Sequence, residues 1–317
     1  MSPKLEGRQC VLICDGTAHK LVSDDQRTSR EILHGLTSTQ EETDSRTILY
    51  CKYGEQQGYK YIRVRSPDTD VFYILLHNAM QIQEACILFE TGRGNKKHLL
   101  NITALAEELT QEHCSALLSL HAFTGCDSTS AFKGKGKVKA VKILQQKPKF
   151  SQTFAQIGEA WSVTEHQVDE LEEFTCLLYG RQRIKKVDEL RYVMLKEKCE
   201  NDTISANVNI DMASLPPCRR SLKQHVLRTN FQVAIWKRAH EPTPEIPDPS
   251  AGHGWVKQDE MLVPVWTKEE DELTLPQAVI DNLFSDIQEE EDEDETEMDP
   301  LLQNGIDDSL DSDSDAD

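Results

Sequence analysis

The stretch Leu120-His121-Ala122-Phe123-Thr124-Gly125-Cys126-Asp127 ends an apolar run on a Gly-X-Asp turn, and that ending limits what can follow. Glycine permits the sharp backbone turn, and the next carboxylate is thrown out of the run. A connector of small residues, Ser128 to Ala131, then leads into Lys133-Gly134-Lys135-Gly136-Lys137-Val138-Lys139-Ala140, a lysine-alternating glycine hairpin that opens a helix. A carboxylate held in a turn suits a hard divalent cation, which prefers oxygen ligands. Two glycines one residue apart let a backbone come close to a phosphate. The lysines beside them supply the charge that releases counterions from nucleic acid.

Composition sets the outer limits. A chain of 317 residues can bury a core in one large domain or two smaller ones. The net charge of −20 is uneven: from Asp286 to the end there are 16 acidic residues and no basic ones, leaving about −4 for the rest. A balanced body with an acid tail does not exclude nucleic acid. The nine cysteines are scattered singly without a Cys-X-X-Cys pair, which argues against a disulfide framework and for a reducing compartment. Cys10 and Cys14 share a strand face, but no second ligand pair follows to make a zinc site. No signal peptide and no apolar run of about 18 residues is found, so no membrane partner is expected. The expected location is the nucleus or cytoplasm, with the nucleus favoured.

Taken in order, Cys10–Cys14 and Ala18–Val22 read as a hairpin about Asp15-Gly16. Thr39 and Glu42 fit a capping box, opening a helix that runs to about Gln57. Glu42 and Asp44 are two apart, so on a regular helix they would not face one way, although near a terminus both can reach one point. A strand from Tyr59 to Arg65 precedes Ser66-Pro67-Asp68-Thr69-Asp70 and a helix from Val71 to Ala79. Asp68 is placed to cap that helix. The same Asp-X-Asp also lies where open α/β sheets put their ligands. A strand from Ala85 to Glu90, a basic glycine-rich turn, and helices at Ile102–Leu109 and Glu112–His121 follow. This alternation predicts an α/β class with a mostly parallel sheet flanked by helices. Further helices are expected at Val138–Gln145, Ser151–Glu159, Thr164–Leu178, Val187–Lys198 and Ser221–His240. After Pro242 a proline-rich segment carries Gly252-His253-Gly254-Trp255 and reads as an extended stretch docked on the body. The acid tail cannot bury enough apolar surface to fold. The expected divisions are a core at 1–127, a hairpin region at 128–160, a helical extension at 161–240, the docked segment at 241–284 and the tail at 285–317.

Placed together, Glu42 and Asp44, Asp68 and Asp70, Asp127, and Gly134-Lys135-Gly136 resemble the flap endonuclease branch of the PIN-like superfamily of 5′-nucleases. The chain is more closely similar to uncharacterised metazoan PIN-like proteins of mobile-element ancestry. That likeness is carried by Gln40–Ser45, Ser66–Val71, His121–Asp127, Leu215-Pro216-Pro217-Cys218 and Gly252–Trp255. The resemblance implies a PIN-like fold in which Glu42, Asp44, Asp68, Asp70 and Asp127 bind two Mg²⁺ or Mn²⁺ ions. Asp44, Asp68, Asp70 and Asp127 would be catalytic in phosphodiester hydrolysis. It also implies a helix–two-turn–helix in which Gly134, Lys135, Gly136, Lys137 and Lys139 hold nucleic-acid backbone, DNA being favoured, with K⁺ at the glycine hairpin. The family's leading strand, its Asp and a further early acid do not precede these motifs. An acidic tail stands where many members carry a cysteine-rich module.

Two functional readings follow from the same residues. One is a metal-dependent nuclease acting on DNA or RNA backbone. The other is a non-catalytic remnant that binds nucleic acid or protein, with the tail recruiting basic proteins or lying over the lysine hairpin.

Overall fold

The computed structural model describes residues 9–14, 16–23, 28–201 and 211–267. The chain divides into two units, Met1–Lys268 and Glu269–Asp317. Described residues fall only in the first, so the readings of Asp15, of the segment after residue 267 and of the acid tail lie outside them.

Three short strands open the fold: β1 (Cys10–Cys14), β2 (Thr17–Ser23) and β3 (Thr28–Ile32), all antiparallel. The hairpin read from the sequence is present and gains a third strand. Ala18 of this sheet packs with Leu36 and with Leu49 of helix α1 (Thr43–Gln56). On the same helix Ile48 and Cys51 enter the main core.

The central sheet has three strands: β4 (Tyr61–Arg65), β5 (Cys86–Thr91) and β6 (His98–Asn101), in the order β4-β5-β6. Between β4 and β5 runs α2 (Thr69–Asn78). That crossover is long enough to return the chain in the same direction, so β4 and β5 are parallel. Between β5 and β6 only the turn Gly92–Lys97 intervenes, and the pair is antiparallel. The fold is therefore mixed α/β, and the mostly parallel sheet expected from the sequence is not what forms. The reason is local. The short run His98-Leu99-Leu100 is itself a strand, and Gly92 (φ +82°) folds it straight back, its Cα passing too near the Lys96 carbonyl for any side chain.

The rest of the body is helical: α3 (Ile102–Glu108), α4 (Gln111–Phe123), α5 (Lys137–Gln146), α6 (Pro148–Gln156), α7 (Glu165–Leu178), α8 (Val187–Asn201) and α9 (Arg219–Lys237). Thr110 and Thr164 cap α4 and α7, the latter through a complete capping box with Gln167. The described chain closes on the hairpin β7 (Trp255–Gln258) and β8 (Met261–Pro264), where a single extended stretch was expected.

Helix α9 determines the arrangement. The sequence suggests one apolar stripe, Leu222, Val226, Leu227, Phe231, Ala234 and Ile235. In the fold Gln224, His225, Arg228, Thr229, Asn230, Gln232 and Lys237 are buried as well. Each polar group needs a partner inside the protein, because burial without one costs far more than the bond gains. Asn230 brackets the turn after α6, accepting from Gly158 N (2.8 Å) and donating to Ala160 O (2.9 Å) and Trp161 O (3.1 Å). His225 Nε2 donates to Phe123 O (2.8 Å) at the end of α4. Complete burial drives its pKa down to about 4, so the ring stays neutral. Arg228 reaches Gly254 O (3.1 Å) and Val265 O (2.6 Å), docking the terminal hairpin.

Gly158 (φ +82°) sits where a Cβ would lie 2.6 Å from Val233 Cγ1 and 2.8 Å from Ala234 N. Gly158→Ala is expected to destabilise the protein by roughly 2–4 kcal/mol, through left-handed strain and overpacking together. Urea unfolding reads this directly. A change below about 0.5 kcal/mol, the range of an ordinary surface substitution, would mean that α9 does not seat on this turn.

Candidate functional site

Each of the five acids is placed by a distinct local device. At the start of α1, Glu42 is the N-cap residue with extended backbone (φ −79°, ψ 137°), and Asp44 lies in the first turn. Because Glu42 is outside helical geometry, the two-residue spacing does not point it away from Asp44. The Thr39–Glu42 capping box expected from the sequence does not form: the helix begins at Thr43, and Glu42 makes no side-chain cap. Thr39 N donates instead to Pro242 O (3.1 Å), and Gln40 Nε2 to Ala239 O (3.1 Å) and Glu241 O (2.6 Å). The segment is thereby tied to the end of α9. Released from capping, the Glu42 carboxylate accepts from Gln232 Nε2 (3.2 Å) and Trp236 Nε1 (3.3 Å).

Asp68 caps α2 as expected, its Oδ1 accepting from Asp70 N (2.8 Å). Asp70 is buried, and its Oδ1 lies 2.6 Å from His121 Nε2. Asp127 rides a tight turn. Gly125 (φ +119°) passes so close to Ala131 that a Cβ would sit 2.8 Å from that residue's own. Cys126 and Thr129 pair across the turn, and Thr129 Oγ1 anchors it to Ala122 O (2.5 Å). With its neighbours held, Asp127 is the exposed residue at the tip.

Glu42, Asp44, Asp70 and Asp127 line one cavity of about 320 Å³, together with Thr43, Ser128, Gln232 and Trp236. Three separate chain segments thus bring carboxylates to one place. Asp68 does not line the cavity, yet its charge acts on Asp44. The crowding has a cost. Partial burial and the charges of Asp68, Asp70 and Asp127 raise the Asp44 pKa above the ordinary carboxylate range. Glu42 is raised by burial of its carboxylate, opposed by the bonds from Trp236 and Gln232. Oxygen donors in this number suit a hard divalent cation. Among the described residues, however, no three His, Cys, Asp or Glu side chains are drawn together closely enough to hold a metal ion.

One cation offsets the acids. Lys137 Nζ donates to His121 Nδ1 (2.7 Å) and to Gly125 O (2.7 Å). An ammonium has no acceptor, so Nδ1 must carry the lone pair and Nε2 the proton, which then points at Asp70. Lys137, His121 and Asp70 form a directed chain of hydrogen bonds. The imidazole stacks on Tyr73 (centroids 4.2 Å apart), with the Trp236 ring 6.2 Å away and near-parallel to it. Burial lowers the His121 pKa, Asp70 opposes the shift, and Lys137 adds to it. Lys137 is likewise lowered by burial, against the pull of Asp70.

The glycine hairpin is only partly as expected. Gly134 has φ +70°, and Gly136 is the N-cap of α5 with no side-chain cap and open space about it. Lys139 is exposed. Lys135 lies over the Tyr179 ring at 4.5 Å, and Lys137 faces inward to His121 rather than outward to a ligand. Lys133 pairs with Asp211 at 2.8 Å.

Four residues of the site carry no assigned role in the sequence reading: His121, Gln232, Trp236 and Tyr73. Gln232 and Trp236 are four apart and so share a face of α9. That spacing was the available signal, obscured because the helix reads as a simple apolar stripe. Comparison of the chain with protein-family models, with curated proteins and with solved structures returns no match. Among the described residues no helix is long and apolar enough to cross a membrane.

Because the Asp44 pKa is higher folded than unfolded, the folded protein holds that proton more tightly. Ionisation therefore costs stability at pH values above the folded pKa. The cost disappears below about pH 3.9, where the carboxyl is protonated in both states. Asp44→Asn is expected to raise the melting temperature at pH 7, with the gain closing as pH falls through the carboxylate range. An unchanged or lower melting temperature at pH 7 would show that Asp44 is not crowded by the other acids.

Proposed function

We propose that the cavity is the active site of a PIN-like, metal-dependent nuclease. The observation that carries the reading is the convergence of Glu42, Asp44, Asp70 and Asp127 from three chain segments on one cavity, with the charge of Asp68 acting on Asp44. The residues that would hold Mg²⁺ or Mn²⁺ are Asp44, Asp68, Asp70 and Asp127, with Glu42 also lining the cavity. When bound, such an ion supplies an activated water and charge stabilisation for phosphodiester hydrolysis. The upward shift of Asp44, caused by burial and then by the charges of Asp68, Asp70 and Asp127, is compatible with it, since a dication would offset that charge.

The chain's own groups have separate tasks in this reading. His121 fixes the Asp70 carboxylate through its Nε2 proton, and Lys137 fixes the tautomer. Gln232 and Trp236 hold Glu42 against the cavity wall. Lys139 and the open first turn of α5 at Gly136 offer contacts to substrate phosphate, which position without reading sequence. Lys135 and Gly134, next to them in the chain, would contribute to the same contact.

A second reading is favoured by one specific observation, the lack of a ligand group already drawn together among the described residues. In it the same scaffold binds nucleic acid without cutting it.

The full chain, incubated with Mn²⁺ or Mg²⁺ and end-labelled single-stranded or flapped DNA and single-stranded RNA, is expected to cleave at least one of them. Asp127→Asn and Asp70→Asn should each lower the rate by at least about 100-fold, the scale on which active-site electrostatic groups act. Cleavage that survives both substitutions, or none with any substrate and either metal, would overturn the nuclease reading.

A further inference from the structure

Among the described residues, one face of the central sheet is left partly open, with Tyr61, Arg63, Arg65 and Leu99 exposed on it. Residues paired across a sheet share a face, so Tyr61 pairs with Cys86, Arg63 with Leu88 and Asn101, and Arg65 with Glu90 and Leu99 on this side. The opposite face carries Ile87 and Phe89, which are buried in the core. Parallel strands are normally covered on both faces. Here Tyr61 is 74% exposed and Leu99 50% exposed, and Tyr59 just before the strand is 55% exposed.

The charge on this face runs against that of the molecule. Arg63, Arg65 and Lys97 converge on Glu90 at 3.3, 3.5 and 3.8 Å. One carboxylate cannot neutralise three cations, and Arg93 and Lys96 stand exposed in the adjoining turn. Three cations therefore share one acid on this face, with two more in the turn beside it, on a body whose overall balance is slightly negative. Glu90 acts as a tether that holds Arg63, Arg65 and Lys97 together on this surface.

We infer that this face is a binding platform for single-stranded nucleic acid, separate from the acidic cavity. An exposed tyrosine ring standing off a sheet can stack on an unpaired base, which a duplex does not present. The flanking arginines and lysines then meet the phosphates on either side, without sequence preference. The platform extends the nuclease reading by giving that site a substrate class. It does not depend on cleavage.

The test is fluorescence anisotropy of the full chain with a labelled oligothymidylate of about 20 nucleotides, in EDTA, over a range of salt. Tyr61→Ala should weaken binding at least about fivefold while Tyr61→Phe, which keeps the ring, retains it. Arg63→Ala/Arg65→Ala should weaken it further and reduce the salt slope by roughly 1.4. Binding is read in EDTA, where no cleavage occurs, so failure of this platform and failure of the nuclease reading are told apart. Equal binding by the wild type, Tyr61→Ala and the double variant would overturn the inference, as would tighter binding of a blunt duplex than of the single strand. The acidic segment 286–317 as a labelled peptide is the remaining arm. If the double variant loses the peptide but keeps the oligonucleotide, the face belongs to the tail and the inference is overturned.

Discussion

Carboxylates repel one another, and a fold that brings four of them to one cavity must hold them there against that force. The bond from His121 to Asp70, backed by Lys137, is the counterweight. It is short, buried and directional, and each of its three members sits on a different element: α2, α4 and α5. Asp70 is fixed at the end of the strand–helix connection by its own backbone bond to Asp68. Its partner His121 is fixed by the Tyr73 ring and by the helix that ends at the Gly125 turn. The same lysine that completes the chain also donates to the Gly125 carbonyl, so the turn carrying Asp127 and the brace on Asp70 are one structure.

The other wall depends on α9. That helix is buried on nearly all sides, and its polar residues pair with backbone or acid groups from distant segments. Gln232 and Trp236 turn Glu42 away from capping its own helix and toward the cavity. A residue with a sufficient local role available to it is thus drawn into a tertiary one. The energetic logic is ordinary: the helix start tolerates an exposed end, whereas buried amide and indole groups require acceptors.

Much of this was legible in the sequence, for identifiable reasons. Asp68 as a cap, the Gly-Cys-Asp turn and the helical spans after residue 129 rest on local chemistry, and local chemistry fixed them. What escaped was non-local. The parallel sheet was inferred from strand–helix alternation, but His98–Asn101 is too short and too near Gly92 to be anything but a hairpin partner. Lys137 looks, in one dimension, like its neighbours Lys135 and Lys139. Only the approach of α4 turns it inward, and no spacing rule encodes that approach. Thr39, three residues before Glu42, suggests a capping box. The competing claim came from side chains some 190 residues away.

The central claim is that these acids form one electrostatic unit, and it can be measured residue by residue. Carboxyl carbon NMR titration of the full chain follows Asp44 directly, in the wild type and in Asp127→Asn, a substitution at the exposed tip of a different segment. The account predicts that Asp44 titrates above the ordinary carboxylate range in the wild type and moves down toward it when the Asp127 charge is removed. An Asp44 pKa that is ordinary to begin with, or indifferent to Asp127, would contradict it.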